Sequence, residues 1–247
     1  MINQITPYLF ALVASLIALT VHEYCHGYTA YKLGDDTAKN LGRLSLNPLH
    51  HLDLFGVICM VLFHFGWAKP VPINARNFKN PKRDFAITAL AGPLSNITLA
   101  FIATPLIPLW LLFASKIIAG TESDFAVAIF GNTYLFLQYF VIVNLGLGVF
   151  NLIPLPPFDG SRIVNVLLPE KWYFGIMKYE RRIYLGVIIW LFFGGYVYSG
   201  LTMLPLVSQS PLLCSIFRIF DLSSLIQDGI WALFDLFRAF WELIILH

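Results

Sequence analysis

Four long apolar runs constrain the fold of this chain more than any other feature. They cover about residues 8–31, 85–118, 125–153 and 184–204. A helix needs about 20 apolar residues to cross a hydrocarbon core of roughly 30 Å, so each run is long enough to span a bilayer. Only 12% of the 247 residues are charged, which is about half the share in a typical soluble domain. The sequence therefore predicts an all-α polytopic membrane protein, a helical bundle of about four to six membrane segments.

Two further stretches leave the number of segments open. The apolar run at 52–65 is short for a crossing, and we interpret residues 52–80 as a re-entrant or β-hairpin element. The tail at 212–247 alternates apolar residues with charges at the spacing of an amphipathic helix. This pattern favours a position at the membrane interface over a sixth crossing.

The basic residues predict the orientation in the membrane. Most of them lie between the first two long runs and between the last two, whereas the connection between the second and third runs has only Lys116. Basic loops stay on the cytoplasmic side. Both basic connections fall on that side if the segment at 52–65 does not cross. No basic stripe or RNA-binding motif occurs, so we expect no nucleic-acid partner.

The first long run contains a metal-binding pattern, the HExxH motif from His22 to His26. Residues four apart share one face of a helix, so both imidazoles can reach one ion, with Glu23 beside them. Zinc prefers nitrogen ligands and would need a third protein ligand and a water. An ionisable residue at mid-bilayer costs roughly 2.5–3.5 kcal/mol, which favours a functional role. A polar contact between helices is the structural alternative.

The best candidate for the third ligand is Asp159, in the segment NLIPLPPFDG at 151–160. Three prolines deny this stretch a regular helix. Non-helical backbone near a membrane is tolerated only where it lines protein or a watery cavity. Capping the next helix is the alternative role for Asp159. Asn151 offers an amide that could bind a peptide carbonyl or the oxyanion formed on attack.

The two motifs together resemble the site-2 protease family of intramembrane zinc metalloproteases. HEYCH lies in an apolar run, and NLIPLPPFDG follows about 130 residues later. The stretches FGWAKPVPIN at 65–74 and AGPLSN at 91–96 also resemble short, single-domain members without PDZ or CBS domains. The resemblance covers about residues 10–200.

This resemblance implies a role for each motif residue. His22, His26 and Asp159 would bind one zinc ion, and Glu23 would be the general base. Asn151 would help to bind substrate or stabilise the oxyanion.

The resemblance also implies the activity and its setting. The protein would be a zinc-dependent endopeptidase that cleaves in or near transmembrane segments of membrane proteins, as in regulated intramembrane proteolysis. Its partners would be a transmembrane protein substrate and the lipid bilayer, with the active site of this cytoplasmic-membrane protein toward the cytosol. We expect one transmembrane metalloprotease domain over 1–247, with a catalytic core at about 8–168 and further membrane segments at 184–247. The oligomeric state stays open.

The stretch from Trp67 to Asn74 is a second candidate for substrate contact. Prolines at alternate positions indicate an edge strand or an extended loop. An exposed edge could pair with an unwound substrate by strand addition, which makes Trp67, Lys69, Pro70 and Asn74 candidate substrate-binding residues. An interfacial loop anchored by Trp67 explains the same pattern equally well.

Other polar and small residues in the apolar runs have less specific interpretations. We expect Gly92 to serve helix packing, Asn144 to make a hydrogen bond between helices, and Asn96 to be a weaker candidate for contact with the site.

A different function is also compatible with the motif. A polytopic transporter or a metal-binding scaffold could use His22, Glu23 and His26 as a binding site. One discontinuous element without an inverted counterpart weighs against a transporter.

Overall fold

The computed structural model describes residues 2–63, 68–120 and 123–245. These residues form eleven α-helices and no β-strand, which confirms the predicted all-α fold. The helices are α1 (Ile2–Lys32), α2 (Thr37–Asn40), α3 (Leu54–Phe63), α4 (Pro81–Ala103), α5 (Leu106–Ile118), α6 (Asp124–Asn151), α7 (Asp159–Leu167), α8 (Glu170–Thr202), α9 (Pro205–Ser208), α10 (Pro211–Phe217) and α11 (Leu222–Ile245).

Four helical segments of the described chain are long and apolar enough to cross a membrane. They are Ile5–Lys32, Pro81–Ile118, Asp124–Asn151 and Lys178–Thr202. The second contains both α4 and α5, with a break at Thr104 and Pro105, because proline cannot continue the helical hydrogen-bond ladder. The four long runs of the sequence therefore correspond to the four candidate spans.

The central bundle consists of α1, α4 and α6. Small residues line the contacts, among them Ala18 on α1 and Ala100 on α4, both fully buried. Gly148 on α6 lies so close to α4 that an added Cβ would be 2.7 Å from Cγ1 of Ile97. Small residues let backbones approach closely, which gives apolar helices the van der Waals contact that holds them together in lipid.

The residues on either side of α3 lie next to each other. Leu52, just before α3, forms an isolated antiparallel bridge with Ala68. The chain thus returns to the point from which α3 departed, as the re-entrant interpretation predicts. Among the described residues the β-hairpin alternative amounts to this one bridge, because Pro70 and Pro72 cannot donate to a ladder.

The C-terminal helix α11 packs lengthwise along α6. Gly229 lies near Val149 of α6. Toward its other end, α11 also contacts α4, because Trp241 Nε1 donates to the carbonyl of Phe101 at 2.9 Å. The side chains of Asp235 and Arg238 are exposed. The predicted amphipathic pattern is therefore present, and its apolar face covers the central bundle. Packing along a candidate span fits the alternative of a further membrane segment better than the predicted interfacial position, although α11 is not among the four candidate spans of the described chain.

An extended segment at 68–74 is fastened to the end of α1 by buried Asp35. One carboxylate oxygen accepts from Asn77 Nδ2, and the other accepts from the backbone N–H of Asn74, both at 2.7 Å. The hydroxyl of Thr37 also donates to Asp35. Burial raises the pKa of Asp35, but the hydrogen bonds from Thr37, Asn74 and Asn77 outweigh burial and hold the pKa below its usual 3.8.

We expect Asp35→Asn to destabilise the protein, because an amide cannot accept this set of hydrogen bonds. The expected loss is about 1–3 kcal/mol in the free energy of unfolding, measured as a lower Tm in detergent at neutral pH. Asp36→Asn is the matched control, because Asp36 is exposed and caps α2 without a side-chain hydrogen bond. Equal Tm values for the two variants would contradict this role.

The stabilisation by the hydrogen bonds of Asp35 should depend on pH. Since the native pKa of Asp35 is depressed, its stabilisation is present above pH 3.8 and is lost as the pH falls through the lower native value. The Tm difference between wild type and Asp35→Asn should therefore narrow only in that acidic range.

Candidate metal centre

Three donor atoms converge inside the bundle, from His22 and His26 on α1 and from Asp159 at the start of α7. The two histidine Nε2 atoms are 2.9 Å apart. Asp159 Oδ2 is 3.1 Å from Nε2 of His22 and 3.2 Å from Nε2 of His26. A tetrahedral zinc ion with bonds near 2.0–2.1 Å places its donors roughly 3.3 Å apart. The donor types and their spacing therefore fit zinc.

The outer nitrogens of both histidines fix their orientation. His22 Nδ1 donates to Asn96 Oδ1, and His26 Nδ1 donates to the backbone carbonyl of Thr88, each at 2.7 Å. Because a carbonyl oxygen can only accept, the proton lies on Nδ1 and the Nε2 lone pair faces the centre. Both imidazoles are thus held in the tautomer that a metal requires.

Asn96 is itself held by two other helices. Its Nδ2 donates to the carbonyl of Ala18 on α1 and to Asn144 Oδ1 on α6, both at 3.0 Å. Asn144 in turn donates to the carbonyl of Phe140. The amide oxygen of Asn96 must therefore face His22. The expected interhelical bond of Asn144 is present, and Asn96 contacts the site directly.

Gly92 of α4 borders the three donor atoms. A Cβ at this position would be 2.4 Å from Nε2 of His26 and 2.7 Å from Nε2 of His22. Such distances are far inside van der Waals contact, so only a hydrogen atom fits beside the donors. The sequence predicts Gly92 as a helix-packing residue, and the structure adds that the side chains it packs against are the two imidazoles of α1.

A tight loop after α6 carries Asp159 to the histidines. The segment 152–158 is not helical, as its prolines predict. Buried Phe158 stacks edge-on against Phe150, with ring centroids 4.4 Å apart. An added Cβ on Gly160 would be 2.3 Å from the carbonyl oxygen of Leu152. The N-cap of α7 is Phe158 and not Asp159, so the capping alternative for Asp159 is wrong.

Glu23 faces the extended segment at 68–74. Its Oε2 accepts from the backbone N–H of Val71 at 2.7 Å. The Val71 side chain is buried and packs against the Cα of Gly27. The segment therefore lies directly beside the HExxH turn, a contact between positions 48 residues apart.

The structure places the other predicted substrate-contact residues in or near that segment. Lys69 donates its backbone N–H to the carbonyl of His51, and its own carbonyl accepts from Arg43. The side chains of Lys69 and Pro70 are exposed. The backbone N–H of Asn74 is bound to Asp35, and Trp67 lies outside the described residues.

Asn151 forms the last residue of α6. Its Nδ2 donates to the carbonyl of Leu147, four residues back in the same helix, at 3.0 Å. Because an amide NH2 group carries two hydrogens, Nδ2 can keep this bond and still donate its second hydrogen to a peptide carbonyl.

We expect Gly92→Ala to abolish stable zinc binding, because the methyl group would occupy the space beside both Nε2 atoms. Zinc affinity should fall at least about tenfold, the lower range for disturbed ligand orientation. The loss of zinc binding is measured as the metal content per chain after dialysis. Gly131→Ala is the control, because an added Cβ there meets nothing within 4 Å. Wild-type zinc content in Gly92→Ala would contradict the geometry.

We expect Asn96→Ala to weaken zinc binding roughly 10- to 100-fold without removing a ligand, because His22 loses its orienting acceptor. Competition with a fluorescent chelator measures the affinity. Thr98→Ala on the same helix should have no effect, since the exposed Thr98 bonds only to its own helix. The prediction fails if the two variants bind zinc equally well.

Comparison with known proteins agrees with the metal-binding geometry of the three donor atoms. The model of peptidase family M50 matches residues 10–184. YwhC of Bacillus subtilis, whose name describes a candidate zinc metalloprotease, is 42% identical over 166 residues, which cover 67% of this chain and 71% of that protein. Rip2 of Mycolicibacterium smegmatis, named in the same way, is 27% identical over 164 residues, covering 64% of this chain and 57% of that protein. No solved structure matches significantly. The resemblance to site-2 proteases is thus confirmed, and the chain belongs to peptidase family M50 as a metalloprotease integral to a membrane.

Proposed function

We propose that this protein is a zinc-dependent intramembrane endopeptidase, which hydrolyses peptide bonds in or near transmembrane segments of membrane proteins. The observation that carries the proposal is the position of the three donor atoms. His22 and His26 lie within the candidate span Ile5–Lys32 and are buried against α4. A metalloprotease centre at this place in the bundle is suited to a substrate that lies in the bilayer.

His22, His26 and Asp159 would hold one zinc ion. When bound, zinc supplies Lewis acidity, which makes a water molecule nucleophilic near neutral pH. The protein supplies the geometry, because the hydrogen bonds from His22 to Asn96 and from His26 to Thr88 hold both donor lone pairs in place.

Glu23 is the proposed general base. The Val71 N–H binds one of its carboxylate oxygens, which orients the carboxylate and leaves the second oxygen available for a proton. Glu23 would take a proton from the attacking water and return it to the leaving amine. Asn151 would bind the carbonyl oxygen of the scissile bond with the Nδ2 hydrogen that is not bonded to Leu147.

The substrate must be unwound before it can react, because a helical amide is sterically shielded and already hydrogen-bonded. The extended segment containing Lys69, Pro70 and Asn74, together with Trp67, would receive the unwound chain along its exposed edge. Its contact with Glu23 through Val71 supports this role, since a chain bound on the exposed side of this segment would lie close to the base.

The cellular setting follows from the charge distribution. The basic connections after the first and third spans lie on the side nearer the HExxH turn, which supports an active site toward the cytosol in a cytoplasmic membrane. Cleavage there would suit regulated intramembrane proteolysis of a membrane-anchored protein.

We expect Glu23→Gln to retain zinc and lose at least about 100-fold in cleavage rate, because it removes the base but no ligand. Asp159→Ala should lose both zinc and cleavage. The measurements are zinc content of the detergent-purified chain and cleavage of a panel of reconstituted single-span proteins.

Glu242→Gln is the control for loss of a glutamate, because Glu242 is exposed on α11, away from the donor atoms. Wild-type turnover by Glu23→Gln would remove Glu23 from the mechanism. Full zinc content in Asp159→Ala would remove Asp159 from the ligand set.

A further inference from the structure

A basic cleft opens beside the metal centre, and the proposed mechanism does not use it. Its volume is about 760 Å³, within the roughly 300–1,000 Å³ typical of binding pockets. One wall is Pro70 of the extended segment, a second is Pro157 of the loop before α7, and the third is the first half of α8, with Lys178, Arg181 and Tyr184.

Two walls of the cleft are parts of the catalytic machinery. Pro70 immediately precedes Val71, whose N–H binds Glu23. Pro157 lies two residues before Asp159, which faces both histidines. The cleft therefore lies next to the donor atoms, where the residues that flank a scissile segment would be.

The charge of the cleft is positive. Glu180 is its only described acidic lining residue, and it is paired with Arg162 of α7. Lys178 and Arg181 are exposed and have no such carboxylate among the described lining residues. The remaining lining residues are alanine, proline and tyrosine, which offer apolar contact. The prolines have no backbone N–H. Such a cleft suits an extended chain with carboxylate side chains.

We propose that this cleft binds the flank of the substrate and selects acidic residues there, next to the transmembrane segment on the active-site side. This inference rests on the proposed function, because it takes the occupant to be a polypeptide substrate. A general excess of basic residues on one side of the membrane would not concentrate the effect in Lys178 and Arg181. Arg182 separates the two explanations, since it is adjacent in sequence to Arg181, carries the same charge and does not line the cleft.

The test measures binding by the full-length Glu23→Gln variant in non-ionic detergent. The probes are three fluorescein-labelled peptides that share one apolar 20-residue helix and carry a flank of four Asp, four Asn or four Lys. The Asp flank should bind roughly 3- to 10-fold more tightly than the Asn flank, the range for two exposed ion pairs, and the preference should weaken with salt. Adding K178E and R181E should reverse it in favour of the Lys flank. Adding R182E should leave it unchanged.

Each other outcome would overturn the assignment. Equal affinity for the three flanks, or no binding of any of them, removes the selectivity. An equal effect of R182E shows that only the overall charge matters. If K178E with R181E instead weakens binding only to vesicles containing phosphatidylglycerol, the cleft is a lipid-headgroup site. The proposed function is tested separately, by cleavage of the Asp-flanked peptide in wild type but not in Glu23→Gln. If the flanks bind selectively but the wild type does not cleave the peptide, the proposed protease function is wrong and the proposed binding role of the cleft remains.

Discussion

The convergence of two imidazoles and one carboxylate within an apolar bundle is the constraint on which the rest of this structure depends. Ionisable groups in such surroundings are costly unless they are paired or bind a metal. In the bundle each histidine Nδ1 has a fixed hydrogen-bond partner, which lowers that cost. Asn96 is the partner of His22, and the Thr88 carbonyl is the partner of His26. A zinc ion then requires no reorientation of its ligands, because the tautomers are already set.

Close approach of backbones makes this convergence possible. Gly92 brings α4 against the histidines, Gly148 brings α6 against α4, and Gly160 folds the loop after α6 against its own carbonyls. In lipid, helices gain little from hydrophobic burial against one another, so packing and interhelical hydrogen bonds decide which surfaces meet. The same small residues that let the bundle pack therefore determine where the donor atoms meet.

The extended segment at 68–74 contacts the proposed base, the end of α1 and the basic cleft. Val71 contacts the proposed base, Asp35 anchors Asn74, and Pro70 forms a wall of the basic cleft. Alternate prolines keep this segment from pairing as a regular strand within the protein. It is thus a fixed segment beside the donor atoms, and its exposed side is where we propose that the substrate binds.

The sequence by itself determined the spans and the histidine pair. Both are local: an apolar run needs only length to cross a bilayer, and the helical period alone brings His22 and His26 onto one face. The proline-rich segment made Asp159 the best candidate for the third ligand, and the resemblance to a known family implied the same role. Only the tertiary structure decided the partners of these residues, because they are far apart in the sequence. From His22, Asn96 is 74 residues away and Asp159 is 137 residues away, and Val71 is 48 residues from Glu23. At such separations no periodicity links two positions, so the sequence indicates Gly92 only as a packing residue without its partners and Asn96 only as a candidate for contact with the site. Packing between helices brings those positions together, and it is a property of the whole bundle.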